Sequence, residues 1–197
     1  MTAKKKKTKK PSESFASAIE WADHFDASIR SESVRAKVIL SACYVDELLR
    51  QLIDITLKPS ATREDALLDG PQAPLSSMSA KIEFLWRIGS ISDEVKASLH
   101  FVRRIRNRFA HSLSNCSFDD PGIRDWNSQL HKLNDHATPA RRATYSDGPV
   151  GDFEKSVSWL VFWLRHQISA VPTRCPACGS EMEHREKIKS SKPGEQS

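Results

Sequence analysis

VRAKVILSACYVDELLRQLID, residues 34 to 54, sets Val34, Val38, Ala42, Val45, Leu48, Leu49, Leu52 and Ile53 three or four positions apart. That spacing is the period of an α-helix with one buried face, and Pro59, just beyond Leu57, forbids a long continuation. Upstream, Phe15, Ala18, Ile19, Ala22, Phe25 and Ile29 carry a second stripe of the same kind. Downstream, Lys58 to Ser77 holds Pro59, Asp69-Gly70-Pro71 and Pro74, so it reads as a connection with room for one helical turn. A helix is predicted from Ser77 to Ile88, with Gly89 placed to close it. Ser92 caps the next one, Asp93 and Glu94 suit its first turn, and Val95, Leu99, Val102, Ile105 and Phe109 form its buried stripe to the neighbourhood of His111. Asp120-Pro121 opens a short helix through Leu133, and residues 134 to 151 read as a polar loop. A last helix carries Phe153, Val157, Leu160, Val161, Leu164 and Ile168 and stops before Pro172. No alternating strand pattern or internal repeat is visible, so the expected fold is all-α, a bundle of five or six helices.

The chain has 197 residues and a formal charge of +5, which suits one domain with tails. Lys4, Lys5, Lys6, Lys7, Lys9 and Lys10 contribute +6 and the stretch from Arg185 onward +2, so residues 11 to 184 carry −3. The lysine block is open to two readings, a weak nucleic-acid tether without sequence selectivity or a disordered tail that aids solubility. The longest unbroken apolar run, Trp159 to Leu164, is far below the ~20 residues of a membrane span, and no signal peptide follows the lysines. Membrane contact and secretion are therefore not expected. Four cysteines, Cys43, Cys116, Cys175 and Cys178, are too sparse for a disulfide framework, and the expected location is the cytoplasm.

Chemistry is concentrated in Arg103-Arg104-Ile105-Arg106-Asn107-Arg108-Phe109-Ala110-His111. At ~100° per residue Arg106 falls inside the arc of Leu99, Val102 and Phe109, whereas Arg104 and Arg108 fall opposite and read as solvated charges. A guanidinium on the apolar face needs an acceptor, which Asp46 or Glu47 could supply in a buried ion pair. The pattern Arg106-Asn107-x-x-x-His111 also resembles the R-x4-6-H motif of HEPN domains. That resemblance implies metal-independent RNA cleavage across a homodimer interface, with Arg106 and His111 catalytic and Asn107 supporting them. Imidazole can shuttle protons near neutral pH while arginine stabilises the phosphorane-like transition state. Arg106 and His111 are nevertheless ~140° apart on an ideal helix. Either the helix unwinds at Ala110, or the two residues have different roles.

Three longer blocks resemble the MtlR family, the mannitol operon repressor proteins and their relatives. They are Glu32-Ser-x-Arg35-Ala36 leading to Val45-Asp46-Glu47-Leu48-Leu49; Leu68-Asp69-Gly70-Pro71-x-Ala73-Pro74-Leu75-Ser76-Ser77-x-Ser79-Ala80-Lys81-Ile82; and Ile105 to His111 with Ser117-Phe118-Asp119-Asp120-Pro121. The resemblance spans about residues 30 to 135 and implies an all-helical, HEPN-like domain that negatively regulates transcription without a recognisable DNA-reading helix. Repression through a partner protein fits the acidic body and the missing helix-turn-helix signature. The sugar in the family name is not implied for this chain.

Residues 1–13 are thus read as a lysine-rich tail, 14–171 as the helical domain and 172–197 as a small appendage. In that appendage Cys175-Pro-Ala-Cys178-Gly, with His184 beyond, reads as half of a zinc ribbon. A fourth ligand could come from Glu181, Glu183, another chain or nowhere, so structural zinc and a degenerate, metal-free ribbon both stay open; no other cofactor is required. Trp159, Phe162 and Trp163 are assigned first to core packing, second to a dimer face and third to a nucleobase platform, and the remaining histidines to solvated or locally bonded roles.

Overall fold

The computed structural model describes residues 13–58, 60, 64–112, 116–134 and 145–170. Six helices follow one another: α1 (Glu13–Ile29), α2 (Val34–Thr56), α3 (Met78–Arg87), α4 (Asp93–His111), α5 (Pro121–Asn134) and α6 (Gly148–Ala170). The all-helical bundle is as expected, and the described residues contain no strand. Lys4 to Lys10, and Cys175, Cys178 and His184 with Glu181 and Glu183, lie outside the described residues. Among the described residues no helix is long and apolar enough to cross a membrane, and no cluster of His, Cys, Asp and Glu could hold a metal ion.

Serine starts three of these helices. Ser33, Ser77 and Ser92 adopt extended backbone, and each side chain accepts from the N–H three residues on, at Ala36, Ala80 and Val95. Each cap satisfies an N–H that the helix itself leaves unpaired. Gly89 closes α3 as predicted. At φ 74° it donates to the Trp86 carbonyl while Ser90 donates to that of Leu85, the paired bonds of a Schellman end. The predicted loop from 134 to 151 is too long at its far end, because α6 already begins at Gly148. Pro149 is compatible with this first turn, where its missing N–H would have had no helical partner.

α2 touches α1, α3, α4 and α6, and α6 touches α1, α2 and α5, so these two longest helices form the centre of the bundle. Their predicted stripes meet there: Val38, Val45, Leu48, Leu49 and Ile53 pack with Val157, Leu160, Val161 and Leu164 in one core. Phe118 joins α4 to α6, its ring 5.3 Å from Phe109 on one side and 5.3 Å from Phe153 on the other. Phe162 is buried and meets Phe15 edge-on at 5.2 Å, while the half-buried Trp159 and Trp163 stack on each other at 6.5 Å. Core packing thus takes up Phe162 fully and the two tryptophans in part.

Ion pairs lock the helices in register. Lys37 on α2 donates to Glu154 on α6 at 2.6 Å, with both side chains almost fully buried. Glu154 also accepts from the Ser146 N–H at 2.7 Å, which ties the approach to α6 into the same pair. Gly151 makes that approach close, since a Cβ there would fall on the Ser146 carbonyl oxygen. Lys81 on α3 donates to Asp46 on α2 at 2.8 Å. Arg50 meets Asp69 at 2.7 Å, tying the 64–77 connection to α2 and holding the Asp69 carboxyl below its ordinary range. Next to them Gly70 takes φ 94°, a left-handed turn conformation that favours glycine, and the Leu75 N–H closes the connection on the Leu67 carbonyl.

Candidate functional site

α4 packs on α5, and the C-terminal half of α4 borders an open concavity of about 550 Å³. Its walls are Arg104, Asn107, Arg108, His111 and Ser112 from α4 and its cap, with Trp126 from α5. Arg104, Arg108 and His111 are exposed, and Asn107, Ser112 and Trp126 are half-buried. The four α4 helical residues recur at i, i+3, i+4 and i+7, an arc of ~100° on the face away from the apolar stripe. Helical geometry therefore delivers two guanidinium groups, an imidazole and an amide to one wall of the groove.

The helix does not unwind at Ala110. α4 stays regular through His111, and the Ser112 N–H still reaches the Arg108 carbonyl at 3.2 Å. His111 and Arg106 accordingly stay on different sectors, and only His111 lines the groove. Arg106 is half-buried rather than enclosed in the core, and its Nη1 donates to Asn107 Oδ1 at 3.0 Å. The motif is thus connected through its middle member: Arg106 holds Asn107, and Asn107 faces the groove with His111. The acids considered for Arg106 are engaged elsewhere, Asp46 by Lys81 and Glu47 by the Gln51 amide at 2.9 Å.

Arg104 and Arg108 are the functional candidates that sequence reasoning set aside as solvated charges. Their signal was present in the i, i+4 spacing with His111 three residues further on, but nothing in a wheel diagram says that α5 will raise a second wall beside that sector. Within the described residues no ion pair joins Arg104, Arg106 or Arg108 to a carboxylate, and no acid lines the groove. Four lysine and arginine side chains elsewhere in the body, Lys37, Arg50, Lys81 and Lys96, do pair with carboxylates.

The rim is firmly built. Arg35 from the first turn of α2 donates to the Ser112 carbonyl at 2.6 Å, which satisfies the C-cap of α4 next to the groove. Cys116 lies beyond it, and its thiol is pushed up by burial first and by Asp120 second, with Arg108 and Arg35 pulling the other way. A thiol held protonated is a poor nucleophile, in keeping with an inert role. Cys43 is an exposed free thiol on α2. Away from the groove, Lys96 and His100 draw the Glu83 carboxyl below its ordinary range, His131 faces Asp152 at 3.8 Å, and His24 and His166 contact aromatic rings, so these histidines have local partners.

No protein-family model matches the chain, and comparison with curated proteins yields no significant match. Among solved structures, the chain is similar to one chain of the X-ray structure of the MtlR-HPr complex from Escherichia coli. The TM-score is 0.51 at 15% sequence identity, with 76% of this chain and 99% of the other covered. At that identity the likeness establishes an MtlR-like fold.

Proposed function

We propose that this chain is a helical regulatory protein of the mannitol-repressor type, a negative regulator of transcription that acts through a protein partner. The observation that carries this reading is the fold shared with a chain solved in complex with HPr, along nearly the whole of that chain. Charge supports it: residues 11 to 184 are net negative, and Arg104 and Arg108 of α4 line a concavity instead of crowning a helix that could enter the major groove. A homodimer is the expected assembly. The test is to delete the gene, compare transcripts with the parent strain, and assay the purified protein on the affected promoters. Transcripts that rise on deletion and fall on complementation, with no promoter-specific footprint by the protein alone, are expected. A sequence-specific footprint by the protein alone, or unchanged transcripts, would overturn the reading.

One observation favours a second reading, metal-independent RNA cleavage. His111 and Asn107 share the groove with Arg104 and Arg108, and Arg106 is tied to Asn107. In that chemistry the His111 imidazole takes the 2′-hydroxyl proton as the 2′-oxygen bonds to phosphorus, the P–O5′ bond breaks to leave a 2′,3′-cyclic phosphate, the proton returns to the departing 5′-oxygen, and the arginines stabilise charge on the attacked phosphate. With RNA in excess EDTA, His111→Ala should lower a wild-type cleavage rate by ~100-fold or more. Equal rates in both proteins, or no cleavage by wild type, would remove this reading and leave the regulatory one intact.

A further inference from the structure

α2 runs through the centre of the bundle, yet one sector of it is left uncovered. Leu40, Tyr44, Glu47 and Gln51 recur there at i, i+4, i+7 and i+11. Leu40 is 45% exposed, Glu47 is exposed, and Tyr44 and Gln51 are half-buried. Trp21 of α1, 43% exposed, is joined to this sector by Arg165 of α6. The Arg165 guanidinium lies 3.9 Å from the centre of the Trp21 ring and donates to the Tyr44 hydroxyl at 3.4 Å and to Gln51 Oε1 at 3.1 Å. We propose that two copies of the chain join through this α1–α2–α6 face as a symmetric dimer, with Glu47 of each copy meeting Arg165 of the other. The proposal rests on the homodimer stated above and is independent of the repressor reading.

Charge selects a second copy as the occupant. Among the described residues no carboxylate pairs with Arg165, and its Nε is buried without an acceptor. Glu47 accepts from the Gln51 amide at 2.9 Å. Gln51 therefore stands between an acid and a base and bonds to both, which keeps them from pairing within one chain. A two-fold axis makes a patch meet itself, so a patch with one carboxylate beside one guanidinium complements its own copy, and the pair forms twice. A partner of a single sign would satisfy one of the two groups and strand the other. The α4–α5 groove has the opposite property: lined by Arg104, Arg108 and His111 without an acid, it would meet like charge in a symmetric contact.

The composition of the face agrees. Trp, Tyr and Arg are the side chains that most often anchor protein interfaces, and here Trp21, Tyr44 and Arg165 form one stacked group beside an exposed leucine. The buried Phe25 backs Tyr44, ring centroids 5.0 Å apart, so the group is ordered before a partner arrives and loses little freedom on association.

The experiment is sedimentation of the full chain over a concentration series, comparing wild type with Leu40→Asp, Glu47→Arg, Arg165→Glu, the double variant Glu47→Arg with Arg165→Glu, and Arg104→Glu. Circular dichroism confirms that each is folded, and Leu40 and Glu47 are exposed enough to be changed without touching the core. A wild-type dimer is expected, weakened about tenfold or more by each single change at Leu40, Glu47 or Arg165. The double variant exchanges the two charges and should recover association to within about threefold of wild type. A monomeric wild type overturns the proposal and the homodimer with it, opens this face to a different protein, and leaves the repressor reading to its own test. A dimer that survives Leu40→Asp and Glu47→Arg overturns the proposal while keeping the homodimer, as does one broken by Arg104→Glu, which would place the contact in the groove. A folded double variant that stays as weak as the single ones overturns the Glu47–Arg165 pairing and the register built on it.

Discussion

Replacing Glu154 by leucine is expected to destabilise the protein by about 3–5 kcal/mol, the usual cost of breaking a buried ion pair from one side. Glu154 and Lys37 are 7% and 10% exposed at their side chains and meet at 2.6 Å. Without the carboxylate the Lys37 ammonium keeps only the Ser146 hydroxyl, at 3.3 Å, as acceptor, and that hydroxyl itself loses Glu154 as a partner. The Ser146 N–H loses its acceptor too. The double variant Lys37→Met with Glu154→Leu should recover most of the loss, since two apolar side chains of similar volume leave no unpaired charge. Urea unfolding monitored by circular dichroism measures both. A single substitution costing under about 1 kcal/mol would show that the pair is not buried in solution, because exposed pairs contribute no more than that.

Phe118→Ala is expected to cost about 3–5 kcal/mol as well, by lost burial and the cavity left behind. Phe118 is 3% exposed and sits between Phe109 of α4 and Phe153 of α6, so its ring is the contact that carries the 116–120 turn onto both helices. The loss should be felt locally. Amide exchange near the C-terminal end of α4, residues 107 to 112, should accelerate more than exchange in the middle of α2, because α2 keeps its own packing on α1, α3 and α6. A midpoint shift with uniform acceleration would mean that the bundle opens only as a whole, and that Phe118 has no particular hold on the groove.

The blocks that carry the resemblance to the mannitol repressor proteins prove to be joints of the fold. Arg35 secures the end of α4, Asp46 receives Lys81, Asp69 receives Arg50, Gly70 supplies a left-handed turn, and Ser33 and Ser77 cap helices. Such residues report how the chain folds more than what it binds, and the fold match at 15% identity agrees with that. The groove is the reverse case. Of its walls, Arg104 and Arg108 look ordinary in sequence and Trp126 looks like one more core aromatic.

Local physics settled the rest of what could be read in advance. A 3.6-residue period of apolar side chains needs no partner to be recognised, and serine before a stripe or glycine after one acts on its own backbone, so six helix positions, the Ser92 cap of α4 and the Gly89 end of α3 were legible in the chain. The start of α6 was missed, because Gly148-Pro149 resembles a loop until Glu154 accepts from the Ser146 N–H and holds the approach to the helix. Helical period also set the angle between Arg106 and His111, since that angle depends on nothing outside α4. Which sector of α4 would be covered, and which would face a groove, depended on where α5 packed. That placement is decided by burial of both stripes at once, a long-range condition that turned two solvated charges into a wall and left the motif arginine behind it.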